Sequence, residues 1–278
     1  MGVAGVLVGQ PFDTIKVRLQ TQPGKYRGIW NCFTTIVKQE TVHGLFKGMS
    51  SPLLGLSLIN AIVFGVQAQT IAAFGRETTF THFASGAFAG AVQSVICSPM
   101  ELAKTKMQVQ GIGTKVVKDK VVYSSSVDVL RKTFRAEGLK GCYRGMLITL
   151  IRETPAFGSY FASYDILTSV VFKFETSQMY KKEGIMKMLT AGGLSGMVSW
   201  AITYPADVIK SRIQADGTGG RPYKYSGIMD CARQMQKKEG SGVFFRGITS
   251  TLLRAFPVNA ATFTVVHLCT QYFVSHHN

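Results

Sequence analysis

Residues 11–20 read PFDTIKVRLQ, and the pattern returns as PMELAKTKMQ at 99–108 and as PADVIKSRIQ at 205–214. All three copies fit Pro-x-acid-x-x-Lys-x-base-x-Gln, so the chain is built from three units and whatever one copy does is done three times. Each copy is followed by a tyrosine that opens a short amphipathic segment, at Tyr26, Tyr123 and Tyr225, and then by FKG, YRG or FRG, ending at Gly48, Gly145 and Gly247. The tyrosine-to-glycine distance is 22 residues every time, and from each glycine to Phe64, Phe161 or Phe263 it is 16. Length varies only between the Gln and the Tyr, where GTKVVKDK and DGTGGRP read as loops. Each unit therefore reads as a helix, a loop with a short helix, and a second helix, with boundaries at 1–75, 76–175 and 176–278.

Composition places the longer helices in a membrane. No Lys, Arg, Asp or Glu lies between Lys47 and Arg76, or within 83–100, 188–206 or 255–275. Stretches of ~17 to 25 such residues are what a helix needs to cross ~30 Å of hydrocarbon. Two weaker spans, at 2–12 and at 146–172 where Arg152 and Glu153 interrupt, complete a set of six. The expected fold class is an all-α membrane protein: six transmembrane helices in three pseudo-symmetric repeats, with short amphipathic helices on one side. Gly2 stands nine residues before its proline, as Gly90 and Gly196 do, but has no partner glycine four residues earlier. The first helix is thus expected to be N-terminally short by roughly two turns, its ten-residue lead rising only ~15 Å.

Charge sets the sidedness. The chain carries 31 Lys and Arg against 15 Asp and Glu, a net +16, and 24 of the 31 bases fall in the loops after the first, third and fifth spans. Those loops face the negative compartment, and this distribution excludes a nucleic-acid binder, whose bases would cover one face of a soluble domain. The five cysteines, 32, 97, 142, 231 and 269, form no CxxC, which excludes a disulfide framework and a zinc site. His43, His82, His267, His276 and His277 have no spaced nucleophile or metal partner, so neither an enzyme nor a cofactor or metal site is expected.

An ionised side chain at mid-bilayer costs ~2.5 to 3.5 kcal/mol, so Asp13, Lys16, Glu101, Lys104, Asp207 and Lys210 must pair or line a wet cavity. Pro11, Pro99 and Pro205 each remove a backbone hydrogen bond and kink a helix, which bends the three odd-numbered helices toward a common axis. The tripled motif resembles the signature of the mitochondrial carrier family, and the resemblance covers all 278 residues. It implies ion pairs of Asp13 with Lys104, Glu101 with Lys210 and Asp207 with Lys16, braced by Gln20, Gln108 and Gln214. These would form a gate on the matrix side of the inner mitochondrial membrane. The family's opposite gate carries an aromatic residue, an acid and, three residues later, a base. Here the matching positions hold Gln67-Ala68, Tyr164-Asp165 with Thr168, and Val266-His267 with Thr270. That gate is expected to be weak, with net uniport accompanying exchange.

The register set by the phenylalanines aligns Gly55, Arg152 and Arg254, each nine residues earlier, and Glu153 follows Arg152 where the other copies hold Leu56 and Ala255. This broken symmetry suits a zwitterion: Arg152 or Arg254 grips a carboxylate in fork geometry, Glu153 takes an ammonium, and Asn60 is placed to accept a hydrogen bond from a guanidinium. RETPAFGSYF, LLRAFPVNAATF, CSPMELAKT and YPADVIKSRIQADG look most like the branch of the family that carries basic amino acids. An acylcarnitine carrier is the alternative, and a non-transporting scaffold or truncated inactive form the third reading.

The glycines where short helices begin or end, Gly28, Gly48, Gly145, Gly227 and Gly247, together with Lys47, Arg144 and Arg246, suit lipid phosphates, cardiolipin above all. A monomer is expected. Gly86 with Gly90 and Gly192 with Gly196 form GxxxG faces that let helices approach closely, and Trp200 reads as packing or cavity wall.

Overall fold

The computed structural model describes residues 3–110, 121–173, 182–254, 257, 258 and 261. Among the described residues there are helices and connecting turns and no strand. In chain order the α-helices are α1 (Val3–Thr21), α2 (Ile29–Glu40), α3 (Ser50–Phe74), α4 (Thr79–Val109), α5 (Ser126–Cys142), α6 (Met146–Ile166), α7 (Lys182–Ala215) and α8 (Ile228–Glu239). The last span of the sequence reading, 255–275, lies almost wholly outside the described residues, as do Phe263, Val266, His267, Cys269 and Thr270. By length and apolar composition one described helix, α4, could cross a membrane, and the apolar part of α3 at Leu58–Phe74 is shorter.

The three motifs fall at equivalent places. Pro11, Pro99 and Pro205 lie inside α1, α4 and α7, and each helix continues beyond its proline through the acid, the bases and the glutamine. The short helices α2, α5 and α8 start three residues after Tyr26, Tyr123 and Tyr225. A side chain five residues after each tyrosine explains where they start. Asn31 Oδ1 accepts the Arg27 N–H, Asp128 Oδ2 that of Ser124 and Asp230 Oδ2 that of Ser226, at 3.2, 2.9 and 3.0 Å. Each bond ties the backbone just ahead of a short helix to that helix's first turn, and it is made three times. Gly48, Gly145 and Gly247 all have left-handed φ, 78°, 86° and 88°, which a residue with a Cβ adopts only at a cost.

The chain packs as two compact units, each drawing on all three repeats: residues 1–54, 100–142 and 211–278 make the first, 55–99 and 143–210 the second. In the first, Ile15, Leu19, Tyr26, Cys32, Ile36 and Leu45 cluster around α1 and α2, and Ala103, Met107, Tyr123 and Val129 repeat the arrangement around α4 and α5. In the second, Val63, Ala89 and Phe161 pack with Ile59, Val66, Phe157 and Tyr160. A Cβ on Gly86 would stand 2.6 Å from the Phe157 carbonyl oxygen and one on Gly90 2.7 Å from that of Glu153, so α4 and α6 are in backbone contact there. The second GxxxG pair behaves differently. Gly192 has ordinary clearance from Tyr160 at 3.6 Å, and Gly196 has no neighbour within 4 Å.

Candidate functional site

In the first unit, α1 and α4 bring Lys104 Nζ within 2.7 Å of Asp13 Oδ2, the first of the three pairs implied by the resemblance. Asp13 holds a second cation that the sequence reading placed elsewhere: Arg254 Nη1 donates to its Oδ1 at 2.8 Å. The side chain passes over Gly9, where a Cβ would meet Arg254 Nε at 2.9 Å. Lys16, Gln20, Gln108 and Gln214 are all buried. Two of these glutamines join neighbouring motif helices through threonines. Gln108 Nε2 donates to Thr14 Oγ1 at 3.2 Å, and Gln214 Oε1 accepts from Thr105 Oγ1 at 3.4 Å.

Below this layer lies a network that the sequence reading missed. Arg18, the second base of the first motif, forks onto both oxygens of Glu40 at 2.6 and 2.8 Å, and its Nε donates to the Gln108 carbonyl at 2.8 Å. Arg212 repeats the arrangement in the third motif, with Nη2 2.8 Å from Glu239 Oε2 and Nε 2.7 Å from the Gln20 carbonyl. Burial alone would raise the Glu40 carboxyl, but the hydrogen bonds from Arg18 and Lys47 outweigh it and hold it below the ordinary range. The signal was present in the sequence: Glu40, Glu137 and Glu239 each stand eight residues before the glycine that ends FKG, YRG or FRG. Lys47 and Arg246 also turn inward. Lys47 Nζ reaches Glu40 Oε2 at 2.7 Å and the Gln110 carbonyl at 3.0 Å, and Arg246 reaches Glu239 at 3.0 Å.

The second unit contains the other charges singled out above. Glu153 is buried, and Arg152 Nη1, Lys210 Nζ and Gln93 Nε2 all bond its carboxylate, the last two at 3.3 Å. Arg152 Nε lies 3.4 Å from Asp207 Oδ1, and its guanidinium carbon is 4.9 Å from the centre of the Trp200 ring. Trp200 is therefore a cation platform rather than simple packing. Lys210 and Asp207 belong to this unit while Glu101 and Lys16 belong to the first. Asn60 is partly buried on α3.

Asp165 has no base at position 168, but α4 supplies its partners. Thr79 Oγ1 donates to Asp165 Oδ2 at 2.7 Å, and His82 Nε2 is 3.8 Å from Oδ1. The sequence reading set His82 aside, because the spacing that joins it to Asp165 exists only across two helices. A π-type turn over Leu167–Val171 follows, closed by the Phe172 N–H on the Leu167 carbonyl at 2.9 Å.

The arrangement is a set of ion pairs in which residues of the expected binding site hold residues of the expected gate: Arg254 holds Asp13, Glu153 holds Lys210, and Arg152 holds Asp207. The family model described as mitochondrial carrier protein matches residues 1–78, 75–175 and 179–277, one match per repeat. The rat mitochondrial basic amino acids transporter is 53% identical over 98% of this chain and 86% of its own length. Its human counterpart is 53% identical over 98% of this chain and 87% of its own. The mouse solute carrier family 25 member 45 is 38% identical over 94% of this chain and 92% of its own length.

Proposed function

The chain belongs to the mitochondrial carrier protein family, and on that premise we propose that it moves basic amino acids, arginine and lysine first, across the inner mitochondrial membrane. Transport proceeds by alternating access, as uniport alongside exchange. The relatives that match almost the whole chain at 53% identity are named for basic amino acids, which supports this substrate class.

One observation carries the mechanism: the groups suited to a zwitterion already hold the charges of the Pro-acid-Lys motifs. A substrate carboxylate drawn to Arg254 competes with Asp13, held at 2.8 Å, and one drawn to Arg152 competes with Asp207, held at 3.4 Å. A substrate ammonium drawn to Glu153 competes with Lys210 at 3.3 Å. At each of these groups, binding a substrate charge and loosening the motif charge held there are one event, and only a ligand with better contacts in the loosened state shifts the balance toward it. An apolar solute has nothing to offer these charges. Asn60 remains the proposed acceptor for a guanidinium N–H. Gln20, Gln108 and Gln214 brace the closed gate formed by Asp13, Lys16, Glu101, Lys104, Asp207 and Lys210, and Pro11, Pro99 and Pro205 shape its helices.

The same reading has six transmembrane helices in three repeats, 1–75, 76–175 and 176–278, acting as a monomer, with the basic loops in the matrix. Cardiolipin is the proposed lipid partner. Gly28 and Gly247 line one cavity of 340 Å³ together with Arg27 and Arg246, a place where a phosphate meets both charge and a helix N-terminus. Gly48, Gly145 and Gly227 complete the proposed lipid positions.

Uptake of labelled arginine, lysine and palmitoylcarnitine into proteoliposomes tests the reading. Arginine and lysine are expected to enter, and Glu153→Gln to abolish their uptake while the protein still folds. Uptake of palmitoylcarnitine alone would support the acylcarnitine reading instead. No uptake of any would leave the scaffold.

A further inference from the structure

We propose that Trp200 and Asp207 form a guanidinium subsite, filled by Arg152 in this structure and taken over by the side chain of an arginine substrate. The inference rests on the reading that the chain carries basic amino acids, and it names the group that tells one basic amino acid from another.

Arg152 lies with its guanidinium carbon 4.9 Å from the centre of the Trp200 ring, its Nε 3.4 Å from Asp207 Oδ1 and its Nη1 bonded to Glu153. An aromatic face on one side and carboxylates at the edge suit a flat, delocalised, weakly hydrated cation. A guanidinium stacks there and still presents its N–H groups, whereas an ammonium is a compact point charge that keeps its water. Trp200 and Asp207 are seven residues apart on α7, which puts both on one face of the helix. The Trp200 ring rests against Tyr204, with centroids 6.4 Å apart, and Tyr204 is fully buried, so the platform is fixed. Trp200 itself is partly exposed and so can be reached.

A free arginine carries the group that Arg152 now places there. When the substrate guanidinium settles between Trp200 and Asp207, Arg152 is displaced and its fork turns to the substrate carboxylate, while the substrate ammonium goes to Glu153. Asp207 is one of the three motif acids, so recognition of the side chain is made on a residue of the gate. Lysine reaches the same acid but gains little from the ring.

The test is uptake of arginine and of lysine by reconstituted wild-type protein, Trp200→Leu and Trp200→Phe. In Trp200→Leu the KM for arginine is expected to rise about tenfold, and that for lysine less than about twofold. Trp200→Phe, which keeps a ring, should recover part of the preference. Retained lysine uptake shows that the variant folds. Agmatine, which keeps the guanidinium and lacks the carboxylate, should raise the melting temperature of purified wild-type protein more than that of Trp200→Leu. An equal loss for arginine and lysine, or no change in either, overturns the subsite while leaving the proposed function standing. Absence of transport of either amino acid by the wild type sinks both.

Discussion

Arg18 and Glu40 meet through two hydrogen bonds of 2.6 and 2.8 Å, with both side chains almost fully buried, and Lys47 closes on the same carboxylate at 2.7 Å. Removing one partner of such a group leaves buried charge without compensation, so Glu40→Gln is expected to cost about 3 kcal/mol of stability. The pH dependence follows from the direction of the shift. The folded state holds Glu40 below the ordinary glutamate range, so the pair stabilises fully above ~4.3. That contribution fades as pH falls from there through the lowered folded value. Thermal melts of wild-type protein in detergent should lose stability below this point with a steeper slope than Glu40→Gln. Equal slopes would show that the pair does not carry the effect.

Thr41 follows Glu40 with φ 60° and ψ 179°, a region that belongs almost wholly to glycine. The equivalent residues after Glu137 and Glu239 are Gly138 and Gly240, with φ 67° and 78°. A β-branched side chain therefore sits where the other two repeats use none. Thr41→Gly should stabilise the protein by about 1 kcal/mol, the relieved strain exceeding the entropy that glycine adds to the unfolded chain. A melting temperature unchanged or lowered by this substitution would count against the strained reading.

The tripled motif, the tyrosine-to-glycine spacing and the prolines made the repeats and their helices legible, because helix starts and turns depend on local chemistry. Glu40, Glu137 and Glu239 were equally legible by spacing, but a search for charge inside apolar spans passes over acids in polar loops. Arg254 on Asp13 and Arg152 on Trp200 were not legible. Each depends on a long side chain crossing from one helix to another, and a linear pattern records which faces helices have but not which faces meet. His82 beside Asp165 was missed for the same reason. Gly196 shows the converse: a GxxxG spelling allows close approach, but only a neighbour opposite it makes one.

Burial controls the two cysteines of the short helices. The Cys32 and Cys231 thiols are fully buried, and desolvation pushes both up to about 12. The thiolate is the reactive form, so neither should be alkylated by iodoacetamide at pH 8 in folded protein, whereas both should react within minutes in denaturant. Mass spectrometry of the labelled peptides reads this directly. Rapid labelling of Cys32 or Cys231 in the folded state would mean that α2 or α8 opens.

Gly86 and Gly196 each belong to a GxxxG pair and give opposite expectations. An added Cβ at Gly86 would stand 2.6 Å from the Phe157 carbonyl oxygen and 2.7 Å from the Phe161 ring, and the backbone on one side leaves no room to yield. Gly86→Ala forces α4 and α6 apart around Ala89 and Phe161 and is expected to cost about 2 kcal/mol. At Gly196 a Cβ meets nothing within 4 Å, and alanine is the better helix former. Gly196→Ala should therefore leave the melting temperature unchanged or slightly raised. Both substitutions measured side by side in the same detergent separate packing from composition, since each adds one methyl group to a GxxxG glycine. Equal destabilisation at the two sites would mean that α7 meets a neighbour at Gly196 as closely as α4 meets α6.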